Sequence, residues 1–244
     1  MSVLIVSGTG TEVGKTIVTA AVAALAAARG GGVAVVKPAQ TGVAPGEPGD
    51  LDVVARLAGV RDTHEYARYP DPLSPAAAAR LSGLAPLSLP QVAEDVRKLA
   101  EDRALVLVEG AGGLLVRYDE EGATLADLAH DLGAPVLIVA DPKLGTLNHT
   151  ALTLESMALR GVELAGVVLG SWPAGVHGAE APDLAMRSNL RDLETLAARP
   201  LAGALPAGAG KLDAPEFLLA ARDGLGPTLG GAFDAAAFRT EWGV

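Results

Sequence analysis

Residues 8–16 read Gly-Thr-Gly-Thr-Glu-Val-Gly-Lys-Thr, set between an apolar run at Val3–Val6 and an alanine-rich helical stretch that starts near Ile17. Strand, glycine-rich turn and helix in that order constrain this chain more than any other feature it has. Glycines let a backbone wrap phosphate oxygens, and the free amides at a helix start supply donors. Lys15 brings a compact cation to the β and γ phosphates, and Thr16 offers its hydroxyl to magnesium. The spacing is one residue off the usual phosphate loop, since Thr9 stands five places before Gly14 and the glycine is Gly8. The flanking strand and helix outweigh that departure.

The rest of the chain supplies the frame such a loop needs. Short β-branched runs recur at Val3–Val6, Val33–Val36, Leu105–Val108, Val136–Val139 and Val162–Leu169, with helical stretches between them. Strands apolar on both faces and alternating with helices predict an α/β fold of the P-loop NTPase type. Its sheet is mostly parallel, with helices on both faces and ligands at the strand carboxyl ends. Without a break in composition, residues 1–244 are expected to form a single domain. Helical stretches at Pro75–Gly83 and Leu89–Glu101 read as insertions over the sheet edge, after a glycine- and proline-rich loop at Gly42–Gly49. A helix around Asp183–Ala198 leads to a short strand at Leu201–Leu205, and Ala214–Val244 reads as helices joined by a loop.

Charge and cysteine content exclude several classes. A formal charge of −10 leaves no basic surface for a nucleic-acid backbone or an anionic membrane. The chain has no cysteine, so thiolate metal sites and thiol nucleophiles are excluded. No basic segment precedes Val3, and the apolar stretch Ile17 to Ala28 is too short to cross a bilayer, so a cytoplasmic location is expected.

Two carboxylates are candidates to share a magnesium ion with Thr16 and the phosphates. Glu109 follows the apolar strand Leu105–Val108 and precedes Gly110-Ala111-Gly112-Gly113, which places it at the sheet's carboxyl edge. Asp50 closes the Gly42–Gly49 loop near a helix start, where it competes with Asp52 and with a plain capping role. Lys37 opens the stretch Lys37-Pro38-Ala39-Gln40-Thr41-Gly42, read as a strand-end turn on the same edge. Beside a triphosphate it would stabilise charge on a transferring phosphoryl group. Asp141 to Thr150 leads into a helix whose first amides suit a carboxylate, although capping by Thr146 or Asn148 explains the same residues. The histidines His64, His130, His149 and His177 show no metal-ligand spacing.

Four blocks together resemble the dethiobiotin synthetase family: Gly8 to Thr16, Lys37 to Gly42, Val108 to Gly113, and Lys143 to His149 with its Lys-Leu-Gly-x-x-Asn-His pattern. The one-residue departure in the phosphate loop is this family's form. The resemblance implies carboxylation of 7,8-diaminopelargonate by CO2 or bicarbonate, activation of the carbamate by the γ-phosphate of ATP, and closure of a ureido ring. It places Lys15 and Lys37 at the reacting charges, with Mg2+ on Thr16, Asp50 and Glu109. It places the nucleotide on Glu12, Val13, Gly14, Lys15, Thr16, Ile17, Asp50, Glu109, Gly110, Ala111 and Gly112, with Gly170, Ser171, Leu205, Pro206 and Ala207 on the base side. Thr41 would meet the substrate near its amines, and in a homodimer Leu147 and Asn148 would reach a carboxylate bound in the other subunit. Many members carry an asparagine where this chain has Gly170-Ser171-Trp172, so use of CTP or another nucleoside triphosphate beside ATP is expected.

The rival is a regulatory P-loop ATPase of the partition or septum-site type. Such switches carry an extra lysine early in the loop, whereas here none precedes Lys15. The septum-site type also needs a basic amphipathic membrane tail, whereas Phe233–Val244 has one basic residue, Arg239.

Overall fold

The apolar runs of the sequence are buried on both faces because they lie inside one seven-stranded parallel sheet. The computed structural model describes residues 3–173, 175 and 181–244; His177 lies outside them. The strands are β1 (Val3–Gly8), β2 (Val33–Thr41), β3 (Thr63–Tyr69), β4 (Leu105–Gly113), β5 (Val136–Ala140), β6 (Leu164–Trp172) and β7 (Gly203–Pro206), in the order β3-β2-β4-β1-β5-β6-β7. The chain runs outward from β1 to β2 and β3, returns to insert β4 beside β1, and then builds the other half from β5. That reversal puts the carboxyl end of β1 at the switch point of the sheet, where a crevice opens between diverging loops.

Two layers of helix close the faces. On one, α1 (Lys15–Ala28), α2 (Asp50–Ala58) and α8 (Ala214–Gly224) bury Val18, Val22, Leu25, Val54, Leu57 and Phe217. On the other lie α3 (Pro75–Ser82), α4 (Leu89–Asp102), α5 (Leu125–Leu132), α6 (Thr146–Leu159) and α7 (Leu184–Ala197), through Ala79, Val92, Val96, Leu128, Met157 and Leu193. The last helix, α9 (Ala235–Trp242), lays Phe238 and Trp242 against Trp172 at the end of β6, with ring centroids 5.1 and 6.1 Å away. Among the described residues no helix is long and apolar enough to cross a membrane.

The structure corrects the sequence reading in three places. The helical stretches read as insertions over the sheet edge, Pro75–Gly83 and Leu89–Glu101, are α3 and α4, and they pack on the sheet's face because Ala79, Val92 and Val96 are buried in its core. Thr-His-Glu-Tyr-Ala-Arg-Tyr at 63–69 is a strand, β3, that no apolar run announces. It is the sheet's edge, most of its residues are half-buried, and polar side chains are tolerated there. The stretch from Lys37 to Thr41 is also strand rather than turn. β4 pairs with β2 only over Val33–Val36, and from there β2 continues on β3 alone, with Pro38 skipped in the register. A strand bonded on one side can carry a residue that has no N–H. Pairing with β3 therefore fixes Lys37, Gln40 and Thr41 on extended backbone.

Candidate active site

Gly14 makes the entry to α1 possible. Its φ of +95° is left-handed, and a Cβ there would meet the Gly170 carbonyl at 2.7 Å. Lys15 and Thr16 then open the helix beside a cleft of ≈ 480 Å³ lined by Glu12, Thr41, Asp50, Ala111 and Gly112 among others. The Lys15 ammonium folds back 2.8 Å from the Gly10 carbonyl. Burial pulls its pKa down to about 8; the Lys37 charge adds to this, and Glu109 and Asp50 oppose it.

Lys37, Asp50 and Glu109 converge at the floor of this cleft from three different elements. Lys37 Nζ lies 2.7 Å from Glu109 Oε1 and 2.5 Å from Asp50 Oδ2, and it donates to the Gly110 carbonyl at 3.3 Å. Burial alone would lower the pKa of Lys37, but the Glu109 and Asp50 carboxylates outweigh it, so the pKa is raised and the charge retained. Burial also tends to raise Asp50, yet Lys37, the Thr16 hydroxyl and Lys15 hold it below the usual carboxylate range. Thr16 Oγ1 donates to Glu109 Oε1 at 2.9 Å. The second oxygen of Glu109 is buried without a hydrogen-bond partner among the described residues. Leaving a charged oxygen in that state is costly, so the site is short of one positive group or donor.

That orphaned oxygen, with the Thr16 hydroxyl and the Asp50 carboxylate, is a hard-oxygen donor set of the kind magnesium takes. Among the described residues no three His, Asp or Glu side chains cluster to hold a metal unaided. A cation here would have to be shared with phosphate oxygens.

The two aspartates that compete in sequence are separated by the fold. Asp52 Oδ2 accepts from the Gly49 amide at 2.7 Å and completes the amino-terminal box of α2. Asp50 is left to face Lys37, and its own amide donates to Gln40 Oε1 at 2.8 Å. We expect Asp50→Asn to lower turnover by about tenfold or more, as for lost charge stabilisation. Asp52→Asn should leave turnover within about twofold and slightly lower the melting temperature. Equal losses of turnover in the two variants would overturn this separation.

The base-side residues divide. Ser171 and Ala207 line a second cleft of ≈ 530 Å³, with Glu12, Val13, Pro142 and Lys143. Gly170 instead packs under the phosphate loop, where a Cβ would fall 1.9 Å from the Val13 carbonyl. Leu205 is fully buried, Pro206 pairs with Trp172 in the β6–β7 register, and the Ala207 amide donates to the Trp172 carbonyl at 2.7 Å. Leu147 and Asn148 begin α6 and line neither cleft; Leu147 is half-buried and Asn148 exposed. Sequence reasoning missed Asn189, a buried α7 residue that donates to the Pro142 carbonyl at 2.9 Å and so holds one wall of the second cleft. It also missed Tyr118, whose hydroxyl accepts from the Ala111 amide at 2.8 Å. Neither has a local signal, since each acts on a segment distant in sequence or in an irregular loop.

A glycine-rich loop after the central strand of a parallel sheet, with Lys15 and Thr16 opening the next helix, defines a P-loop nucleotide-binding protein. Comparison with known proteins narrows the class. A family model described as "AAA domain" matches residues 2–213. The ATP-dependent dethiobiotin synthetase of Parafrankia sp. is 66% identical over 244 residues, covering all of both chains. The proteins of the same name from Frankia casuarinae and Streptomyces avermitilis are 63% and 58% identical, each over 99% of both chains. The chain belongs to the ATP-dependent dethiobiotin synthetase family. Among solved structures, the septum site-determining protein MinD of Pyrococcus horikoshii, complexed with Mg-ADP, superposes with a TM-score of 0.54 at 19% identity, over 88% of this chain and 87% of the other. At that identity the likeness shows the shared fold and nothing of the switch function.

Proposed function

We propose that this chain carboxylates and cyclises 7,8-diaminopelargonate to dethiobiotin, converting ATP to ADP and phosphate. An amine of the substrate takes up CO2 as a carbamate, and the carbamate oxygen attacks the γ-phosphorus as ADP leaves. The neighbouring amine then attacks the carbamate carbon, loses a proton and expels phosphate, so one ureido ring and one phosphate form per ATP. The observation that carries this reading is the buried Lys37 ammonium held between Asp50 and Glu109 beside the phosphate loop. Such a fixed cation suits an incoming carbamate and the phosphoryl group it receives.

Thr16, Asp50 and Glu109 would hold Mg2+, which when bound offsets phosphate charge. Lys15 supplies the cation at the β and γ phosphates, and Thr41, lining the same cleft, meets the substrate near its amines. The reaction would run in the cytoplasm on ATP, with CTP or GTP as further donors because Ser171, which lines the second cleft where many family members carry an asparagine, has no amide side chain to read an adenine edge.

The partner reading is a homodimer. On α6, Asn148, Leu152 and Leu159 share one helical face, and Leu152 and Leu159 are 57% and 84% exposed. A second copy covering this face would bring Leu147 and Asn148 to a substrate carboxylate held by the other subunit.

Phosphate release decides the function. Release should require both the diamine and bicarbonate, and a competition among ATP, CTP and GTP at equal concentration should show more than one used. Mixing Lys15→Ala with Asn148→Ala protein should restore partial activity, because one site of the mixed dimer keeps both residues. Release that ignores the diamine would support a regulatory switch instead, and a fully active monomer would remove the shared site.

A further inference from the structure

The parallel ladder between β1 and β4 breaks where the site begins. Val6 pairs with Glu109 and Gly8 with Gly113, so β1 advances two residues while β4 advances four. On its other side β4 pairs with β2 only as far as Val108. The peptide joining Gly110 to Ala111 is therefore outside both ladders, and its two polar groups need other partners. It finds one on each side. The Ala111 N–H donates to the Tyr118 hydroxyl at 2.8 Å, and the Gly110 C=O accepts from Lys37 Nζ at 3.3 Å. These groups belong to one rigid plane, so holding its N–H aims its C=O.

Tyr118 is well placed to do this. It is fully buried, and its own amide donates to the Ala123 carbonyl at 2.9 Å. Beside it an Arg117–Thr124 bridge ties the loop to the capped start of α5. Burial raises the phenol above its usual range, so it stays neutral. Gly110 has no room for a side chain, since a Cβ would sit 2.3 Å from Leu125 Cδ2.

We propose that Tyr118 is a positioning residue for Lys37, acting through the Gly110–Ala111 peptide. The Lys37 ammonium is held by two carboxylates and by this carbonyl. Without the Tyr118 hydroxyl the plane is free to turn its orphaned N–H toward the cleft, the carbonyl leaves, and Lys37 settles onto Asp50 and Glu109, away from the position it needs for catalysis. The inference rests on the function proposed above.

Tyr118→Phe removes one oxygen and keeps the ring. It should lower kcat for diamine-dependent phosphate release by about fivefold to tenfold, the scale of one buried hydrogen bond. Nucleotide Kd should stay within about twofold. The decisive comparison is the same change made in Lys37→Gln protein, where it should alter kcat by less than about twofold because the residue it positions is gone. An equal factor in both backgrounds, or no effect in either, overturns the proposal and leaves Tyr118 as packing. If Tyr118→Phe does not fold, amide exchange in the wild-type protein decides: the Ala111 amide should exchange far more slowly than the exposed Glu121 amide, and comparable rates overturn the proposal. Wild-type protein that releases phosphate without the diamine would instead defeat the proposed function, while the exchange measurement would still report on the peptide.

Discussion

Lys15→Ala is expected to lower kcat/KM for the nucleotide by about 10²–10³-fold, the effect of removing one preorganised charge from a phosphoryl-transfer site. Lys15 is 8% exposed, so its charge acts on bound phosphate with little screening by water. The chain should remain folded, because among the described residues the side chain's one polar contact is with the Gly10 carbonyl of its own loop. The same residue predicts a pH dependence. Burial holds the free ammonium's pKa near 8, whereas bound phosphate favours the charged form and raises it. Protein with nucleotide bound thus keeps a proton that free protein loses above about pH 8, and affinity falls as pH rises through that value. Titration calorimetry at pH 7 and pH 9 should show this slope in the wild type and not in Lys15→Ala. Wild-type turnover in the variant, or a slope that persists in it, would remove Lys15 from the phosphate site.

Lys37→Gln should act on turnover rather than on binding. With Lys37 3% exposed and Glu109 1% exposed, the ammonium is positioned by the fold before any ligand arrives. A charge that matters mainly as charge builds on the phosphoryl group appears in kcat, so kcat should fall by about 10²-fold with nucleotide Kd within about threefold. Stability should suffer as well. Removing one member of a buried ion pair costs roughly 3–5 kcal/mol, which the glutamine amide reduces by keeping a donor. Asp50 and Glu109 then face each other without their shared cation, so added Mg2+ should raise the melting temperature of the variant more than that of the wild type. Thermal shift with and without magnesium measures this. Unchanged kcat at unchanged Kd would make Lys37 a stability residue only.

The local order of strand, glycine-rich loop, Lys15 and helix was legible in the sequence because its determinants are contiguous, from Val3 to the helical stretch that starts near Ile17. The five short apolar runs were legible because strands buried on both faces must be apolar throughout. Glu109 and Lys37 were legible as charges directly following two of these apolar runs. Tertiary structure decided the rest. β3 is an edge strand whose polar residues carry no periodic signal, yet it keeps β2 extended through Thr41. Asp50 and Asp52 are both acidic residues in the first turn of α2, and only the placement of Lys37 and Gln40 against that turn gives one to the site and the other to the cap. Tyr118 was invisible because its partner is a peptide that a bulge removes from the ladder. An amino-acid sequence records which side chains can carry charge or donate a hydrogen bond; which of them meet depends on strand order and register, set by burial over the whole sheet.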